Sequence, residues 1–134
     1  LDYRSLVPYN RINDLQGMAG PGSALARKHK VHSQYTAVES IPENYDERLT
    51  ELAPRRFKNL RLFVPDPYDL ILSKLARNAE RDRQDVEFLA KTNHLDPEIL
   101  RERYSEELRS ILIGDAVQHD QTLMFWIEAY FGKA

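Results

Sequence analysis

The sequence predicts an α+β fold, a small mixed sheet of few strands with helices packed on it and a helical C-terminal part. Three features carry that expectation. Val31–Val38 and the run Asn59–Val64 are rich in residues suited to a pleated, half-buried surface. The stretch Val64–Ala90 carries Leu70, Ile71 and Leu75, then Val86, Phe88, Leu89 and Ala90, enough for two short helices that each bury one side. Beyond Ala90 the pattern is wholly helical, and Asp96-Pro97-Glu98 is a start signal, with Asp as cap and Pro in the first turn.

Taken in order, Leu1–Val7 reads as a strand, with Leu1 and Tyr3 on the side opposite Asp2. Tyr9–Met18 reads as a short helix capped by Asn10, and Gly17–Ser23 as a glycine-rich turn. That turn lacks the lysine and hydroxyl of a phosphate-binding P-loop and follows a helix rather than a strand. Ser23–His29 is a second helix, followed by the strand Val31–Val38. His29 and His32 stand three apart without a carboxylate or cysteine to complete a ligand set, and read as surface residues. Pro42–Asp46 is turn material. Arg48–Leu52 and Asn59–Val64 read as a hairpin with Leu60, Leu62 and Val64 facing the core. Pro65 and Pro67 close the second strand, and Asp66 or the Pro67 turn starts the next helix. The last helix, about Asp115–Phe131, carries Leu123, Trp126, Ile127 and Phe131, which read as core.

Length and composition bound the class. A chain of 134 residues is one domain by size and long enough to bury a core. The expected organisation is a single domain over 1–134, with 1–64 mainly sheet and 65–134 helical. The net charge of -2 gives no overall basic field of the kind that attracts nucleic acid nonspecifically. Zero cysteines exclude disulfides, thiolate metal sites and cysteine nucleophiles, and fit a reducing compartment. No apolar run approaches the roughly 20 residues of a membrane span, so the expectation is a cytoplasmic protein without membrane partners.

One stretch has more order than solubility requires. Lys74, Arg77 and Arg81 fall on one face at steps of three and four if the helix is continuous, while Asp82 and Asp85 share a face of the second helix. A cationic stripe facing a carboxylate pair suits a phosphate with its magnesium. An internal ion-pair network between two packed helices has the same composition.

The same stretch resembles the nucleotidyltransferase-like proteins related to the toxins of the AbiEii abortive-infection group, and their small bacterial relatives. The resemblance rests on Asp69-Leu70 with Lys74-Leu75, in the pattern D-L-x-x-x-K-L, followed by Arg81-Asp82 and Asp85 in the pattern R-D-x-x-D. Tyr45–Leu49 also resembles the family. The superfamily's metal-binding carboxylates come as D-x-D on an early strand after a Gly-Ser turn, and Asp2 falls where the second of them would stand. The Gly-Ser turn and the first aspartate would lie upstream of Leu1.

The resemblance implies transfer of a nucleotide unit from a nucleoside triphosphate to an acceptor, with Mg2+ as cofactor. It implies Asp2, Lys74 and Asp82 as catalytic residues, Asp2 as metal ligand, and Lys74, Arg77 and Arg81 on the nucleotide. Lysine suits a triphosphate as a mobile point charge. Asp82 would steady Lys74 or Arg81 or act near the acceptor, and Asp85 would orient its helix. The acceptor is RNA, protein or a small molecule, and a cognate antitoxin is an expected partner if the protein is a toxin. Two other readings stand beside this one. The chain is a degenerate, non-catalytic module of the same fold whose central charges are structural, or a helical domain that dimerises along Trp126–Phe131.

Overall fold

The computed structural model describes residues 2–3, 27, 34–35, 40–56, 58 and 60–132. The chain divides into two compact units, Leu1–Glu39 and Ser40–Ala134. In the first, strand β1 (Asp2–Tyr3) pairs in parallel with β2 (Gln34–Tyr35), Asp2 opposite Gln34 and Tyr3 opposite Tyr35. Both lie within stretches expected to be strands. The helix expected over Tyr9–Met18, the glycine turn, and His29 and His32 lie outside the described residues, as does the helix over Ser23–His29 apart from Arg27, which is helical.

The second unit opens with a turn in which the Tyr45 backbone N–H donates to the Pro42 carbonyl at 3.1 Å. One 3-10 turn, Tyr45–Arg48, leads into strand β3 (Thr50–Leu52), which pairs antiparallel with β4 (Leu62–Val64). The expected hairpin is therefore present, but of its expected inward face Leu60, Leu62 and Val64 only Val64 is half-buried. Leu60 and Leu62 are 41% and 38% exposed, because the core is filled by helices and this short ladder stands outside it. Its other face is held by Arg61, which donates to Glu51 at 3.1 Å and lies over the Phe63 ring at 5.0 Å.

Four α-helices follow: α1 (Pro67–Ser73), α2 (Glu80–Asn93), α3 (Pro97–Arg103) and α4 (Ala116–Tyr130). Three of them start on an aspartate whose side chain accepts a first-turn N–H. Asp66 accepts from Tyr68 at 2.9 Å, Asp96 from Glu98 at 2.9 Å and Asp115 from Val117 at 3.0 Å. Each cap contributes about 1 kcal/mol. Directly after α3 the chain takes one π-helical turn, Tyr104–Leu108, with the Arg109 N–H donating to the Tyr104 carbonyl at 2.8 Å. Both Tyr104 and Leu108 are thereby turned inward.

The core is helix on helix. Ile71, Leu72 and Leu75 pack with Val86 and Ala90 of α2, Leu100 of α3, and Leu123, Trp126 and Ile127 of α4. Fully burying one such aliphatic side chain is worth about 1.5–3 kcal/mol. One expectation fails here: Phe88 does not enter the core and is 66% exposed. Trp126, Ile127 and Phe131 are buried in the core as their pattern predicts, which leaves the alternative of an outer seam along them without its residues, while Met124 and Phe125 face outward. Among the described residues, no helix is long and apolar enough to cross a membrane.

Candidate functional site

The charged stretch is a reversal rather than one continuous helix. α1 ends at Ser73 with Lys74 as its C-cap, whose backbone N–H reaches the Ile71 and Leu72 carbonyls. A turn follows, closed by the Asn78 N–H donating to the Lys74 carbonyl at 3.1 Å. Asn78 takes the left-handed conformation (φ 44°), which asparagine tolerates better than most residues. Ala79 is extended, and α2 begins at Glu80. The break separates Lys74 and Arg77 from Arg81, so the three do not form the single stripe that a continuous helix would give.

The reversal lays Lys74 against the first turns of α2. Its Nζ stands 3.1 Å from Asp85 Oδ2 and 3.9 Å from Asp82 Oδ1. Asp82 is fully buried and its carboxylate is densely engaged. Arg77 grips it as a fork, Nε to Oδ2 at 2.7 Å and Nη2 to Oδ1 at 2.5 Å, and the Ala79 backbone N–H donates to Oδ2 at 2.9 Å. That last bond satisfies the N–H of the α2 N-cap. The Arg77 hydrogen bonds hold Asp82 below the usual carboxylate range against the opposing effect of burial, with Ala79 and Lys74 adding to the same direction.

Lys74, Arg77, Asp82 and Asp85 are thus brought together. Arg81 is exposed, and its side chain makes no hydrogen bond or ion pair among the described residues. Asp2 belongs to the other unit. Beside Lys74 lies a shallow cleft of about 200 Å³ lined by Leu70, Lys74, Asp85, Phe88 and Leu89.

A second charge cluster escaped the sequence reading of roles. Asp69, the first residue of the D-L-x-x-x-K-L pattern, is buried and receives a fork from Arg48, Nε to Oδ2 and Nη2 to Oδ1 at 2.8 Å each. Arg48 also donates to both oxygens of Glu107, at 3.1 and 2.9 Å. Arg103 reaches Asp66 at 2.7 Å and Asp69 at 3.3 Å, and lies over the Tyr68 ring at 5.1 Å. Arg48 holds Glu107 below its usual range, and the Asp69 carboxylate raises the Arg48 guanidinium above its own. The signal was in the sequence. Asp69 stands three residues before Leu72 on the apolar side of α1, and a carboxylate at a core-facing position demands a cation.

Among the described residues, no group of three or more His, Asp or Glu side chains is arranged to hold a metal ion. The Asp82 carboxylate in particular is committed to Arg77 and Ala79.

Comparison with known families finds a match. The family described as nucleotidyltransferase of unknown function (DUF6036) matches residues 11–130. That span includes both charge clusters and all four helices α1–α4. No curated protein and no solved structure matches the chain.

Proposed function

The chain belongs to this family of nucleotidyltransferases of unknown function, and from that premise we propose that it moves a nucleotide unit from a nucleoside triphosphate to an acceptor. The carrying observation is the placement of Lys74. Its ammonium lies at the mouth of the reversal, 3.1 Å from the half-exposed Asp85, and beside an open cleft. An entering triphosphate competes for Lys74 mainly with the exposed Asp85, because the buried Asp82, 3.9 Å away, is already held by Arg77. In the transfer itself the acceptor oxygen attacks the α-phosphorus, the bond to the bridging oxygen breaks, pyrophosphate leaves, and the acceptor proton passes to solvent.

In this reading Lys74 contacts the triphosphate, and Arg77 and Asp82 are positioning residues that fix the turn beneath it. Arg81, exposed at the start of α2, supplies a second cation for the phosphates. Asp2 would be a ligand for Mg2+, which would supply neutralisation of phosphate charge; among the described residues no group of three or more carboxylates or histidines is arranged to hold the ion. Kinship with the AbiEii toxins, action in the cytoplasm and neutralisation by a cognate antitoxin complete the proposal.

The test is a transfer assay with each α-labelled nucleoside triphosphate and Mg2+, offering RNA and a protein mixture as acceptors. Label on one acceptor class with matching pyrophosphate release, lost in Lys74→Ala, supports the reading. Absence of transfer with all four donors and both acceptors counts against it and favours the degenerate module. The observation behind that second reading is the saturation of Asp82 by Arg77 and Ala79, which suits a structural ion pair.

A further inference from the structure

The cleft beside Lys74 has a composition that phosphate binding leaves unexplained. Three of its five lining residues are apolar: Leu70 from α1, and Phe88 and Leu89 from α2. Leu70 and Leu89 are partly buried, whereas Phe88 is 66% exposed. An aromatic ring left that open, on the side of a helix whose next inward residue is already in contact with the core, contributes little to folding. Its face is available to a flat partner.

The residues around the cleft on α2 are arranged with equal regularity. Arg81, Asp85 and Phe88 follow one another at steps of four and three, so they line one face of α2. The rise of a helix separates Arg81 from Phe88 by about 10 Å along the axis. Lys74 reaches this face from α1 at its midpoint, at Asp85. The order along the face is therefore cation, then the Lys74–Asp85 pair, then aromatic ring. The cavity, about 200 Å³, is below the usual range of roughly 300–1,000 Å³ for whole-ligand pockets. It suits one flat ring system, with the remainder of the ligand lying outside.

The geometry points to a nucleobase subsite in this cleft, the base stacking on Phe88 against Leu70 and Leu89 while its phosphates run toward Lys74 and Arg81. Asp85, an acceptor-only carboxylate, then takes a hydrogen bond from a base N–H or a ribose hydroxyl. The inference rests on the nucleotide-transfer reading and adds to it which element holds the base. Base–aromatic stacking works with any base, so Phe88 supplies affinity and Asp85 supplies the preference among donors.

The experiment separates the base from the phosphates. Binding of ATP and of base-free tripolyphosphate, each with Mg2+, is measured by calorimetry on the unaltered protein and on Phe88→Ala, Phe88→Trp and Lys74→Ala. ATP is expected to bind roughly tenfold or more tighter than tripolyphosphate. Phe88→Ala is expected to erase that difference while leaving tripolyphosphate unchanged, Phe88→Trp to keep it, and Lys74→Ala to weaken both ligands. Unaltered melting temperatures show that the variants fold. Equal affinity for the two ligands, insensitive to Phe88→Ala, overturns the base subsite and leaves the phosphate reading standing. Absence of binding by either ligand overturns both. A Phe88→Ala variant that changes the mass of the particle but not ATP affinity also overturns it, and makes the cleft a protein contact.

Discussion

Arg48 and Asp69 meet through a two-pronged contact, Nε to Oδ2 and Nη2 to Oδ1, both at 2.8 Å. The contact fastens the 3-10 turn to α1, and Arg48's second pair of bonds carries the connection on to Glu107 in the π-helical turn. The Glu107 backbone carbonyl and side chain then hold the N–H groups of Glu43 and Asn44, at 3.1 and 2.8 Å. Two stretches singled out in the sequence, Tyr45–Leu49 and Asp69–Leu75, are thereby two halves of one structural clamp.

Removing one partner of such a clamp strands the other. Asp69→Asn leaves the part-buried Arg48 and Arg103 without their shared carboxylate, and is expected to destabilise the protein by about 3–5 kcal/mol. Asp85→Asn, at an exposed position, is expected to stay within about 0.5 kcal/mol. Urea denaturation checks both. A lowered midpoint with an unchanged slope for Asp69→Asn alone is the expected result.

Asn78 gives a second, finer prediction. It holds the left-handed turn before α2, and its Oδ1 accepts from Trp126 Nε1 at 3.1 Å. Asn78→Gly keeps the backbone but strands the buried indole N–H, costing about 1–3 kcal/mol. Asn78→Ala adds the backbone penalty of a left-handed residue, roughly a further 1 kcal/mol. The order of melting temperatures, parent above Asn78→Gly above Asn78→Ala, checks the assignment. Trp126 is the only tryptophan, so its emission reports the loosening directly.

The local signals were legible where they were chemical. Asp66, Asp96 and Asp115 stand at the helix starts, and Pro67 and Pro97 occupy first turns. The proximity of Lys74, Asp82 and Asp85 was also legible, because spacing on α2 fixes two of the three. Long-range information was not. Periodicity counts Phe88 with Val86 and Leu89, yet nothing local says that the other helices fill the core without it. The same holds for Leu60 and Leu62, whose alternation predicts an inward face for a ladder that the core does not cover. No sequence rule reveals that a turn at Asn78 folds the Arg77 guanidinium onto Asp82. Arg48, Arg103 and Glu107 come from segments up to 59 residues apart, and only the fold joins them.

Acid should weaken the second unit through its paired carboxylates, Asp82 and Glu107 among them. Asp82 and Glu107 are both held below their ordinary values, chiefly by hydrogen bonds from Arg77 and Arg48. A depressed carboxylate binds fewer protons folded than unfolded, so its contribution is fully present above the unfolded value and is lost as pH falls through the folded one. Stability is therefore expected to hold down to about pH 5 and to decline below about pH 4. Arg77→Met should remove part of that decline, measured as the pH dependence of the melting temperature.

The Lys74–Asp85 pair predicts a gain of function in binding. Asp85 competes with an incoming phosphate for the same ammonium, so Asp85→Asn is expected to tighten tripolyphosphate up to about fivefold, the scale of an exposed ion pair. Calorimetry with Mg2+ present checks it. Weaker tripolyphosphate binding would mean that Asp85 assists the phosphates instead of opposing them.

The most direct test of the account is a thermal-shift titration of the protein and of Lys74→Ala with each nucleoside triphosphate and Mg2+. At about a hundred times its dissociation constant a bound nucleotide stabilises by roughly 2.7 kcal/mol, enough to raise the melting temperature measurably. The account predicts a magnesium-dependent rise, with Lys74→Ala needing roughly ten- to a hundredfold more nucleotide to reach it. No rise with any of the four, or an equal rise in Lys74→Ala, would contradict it.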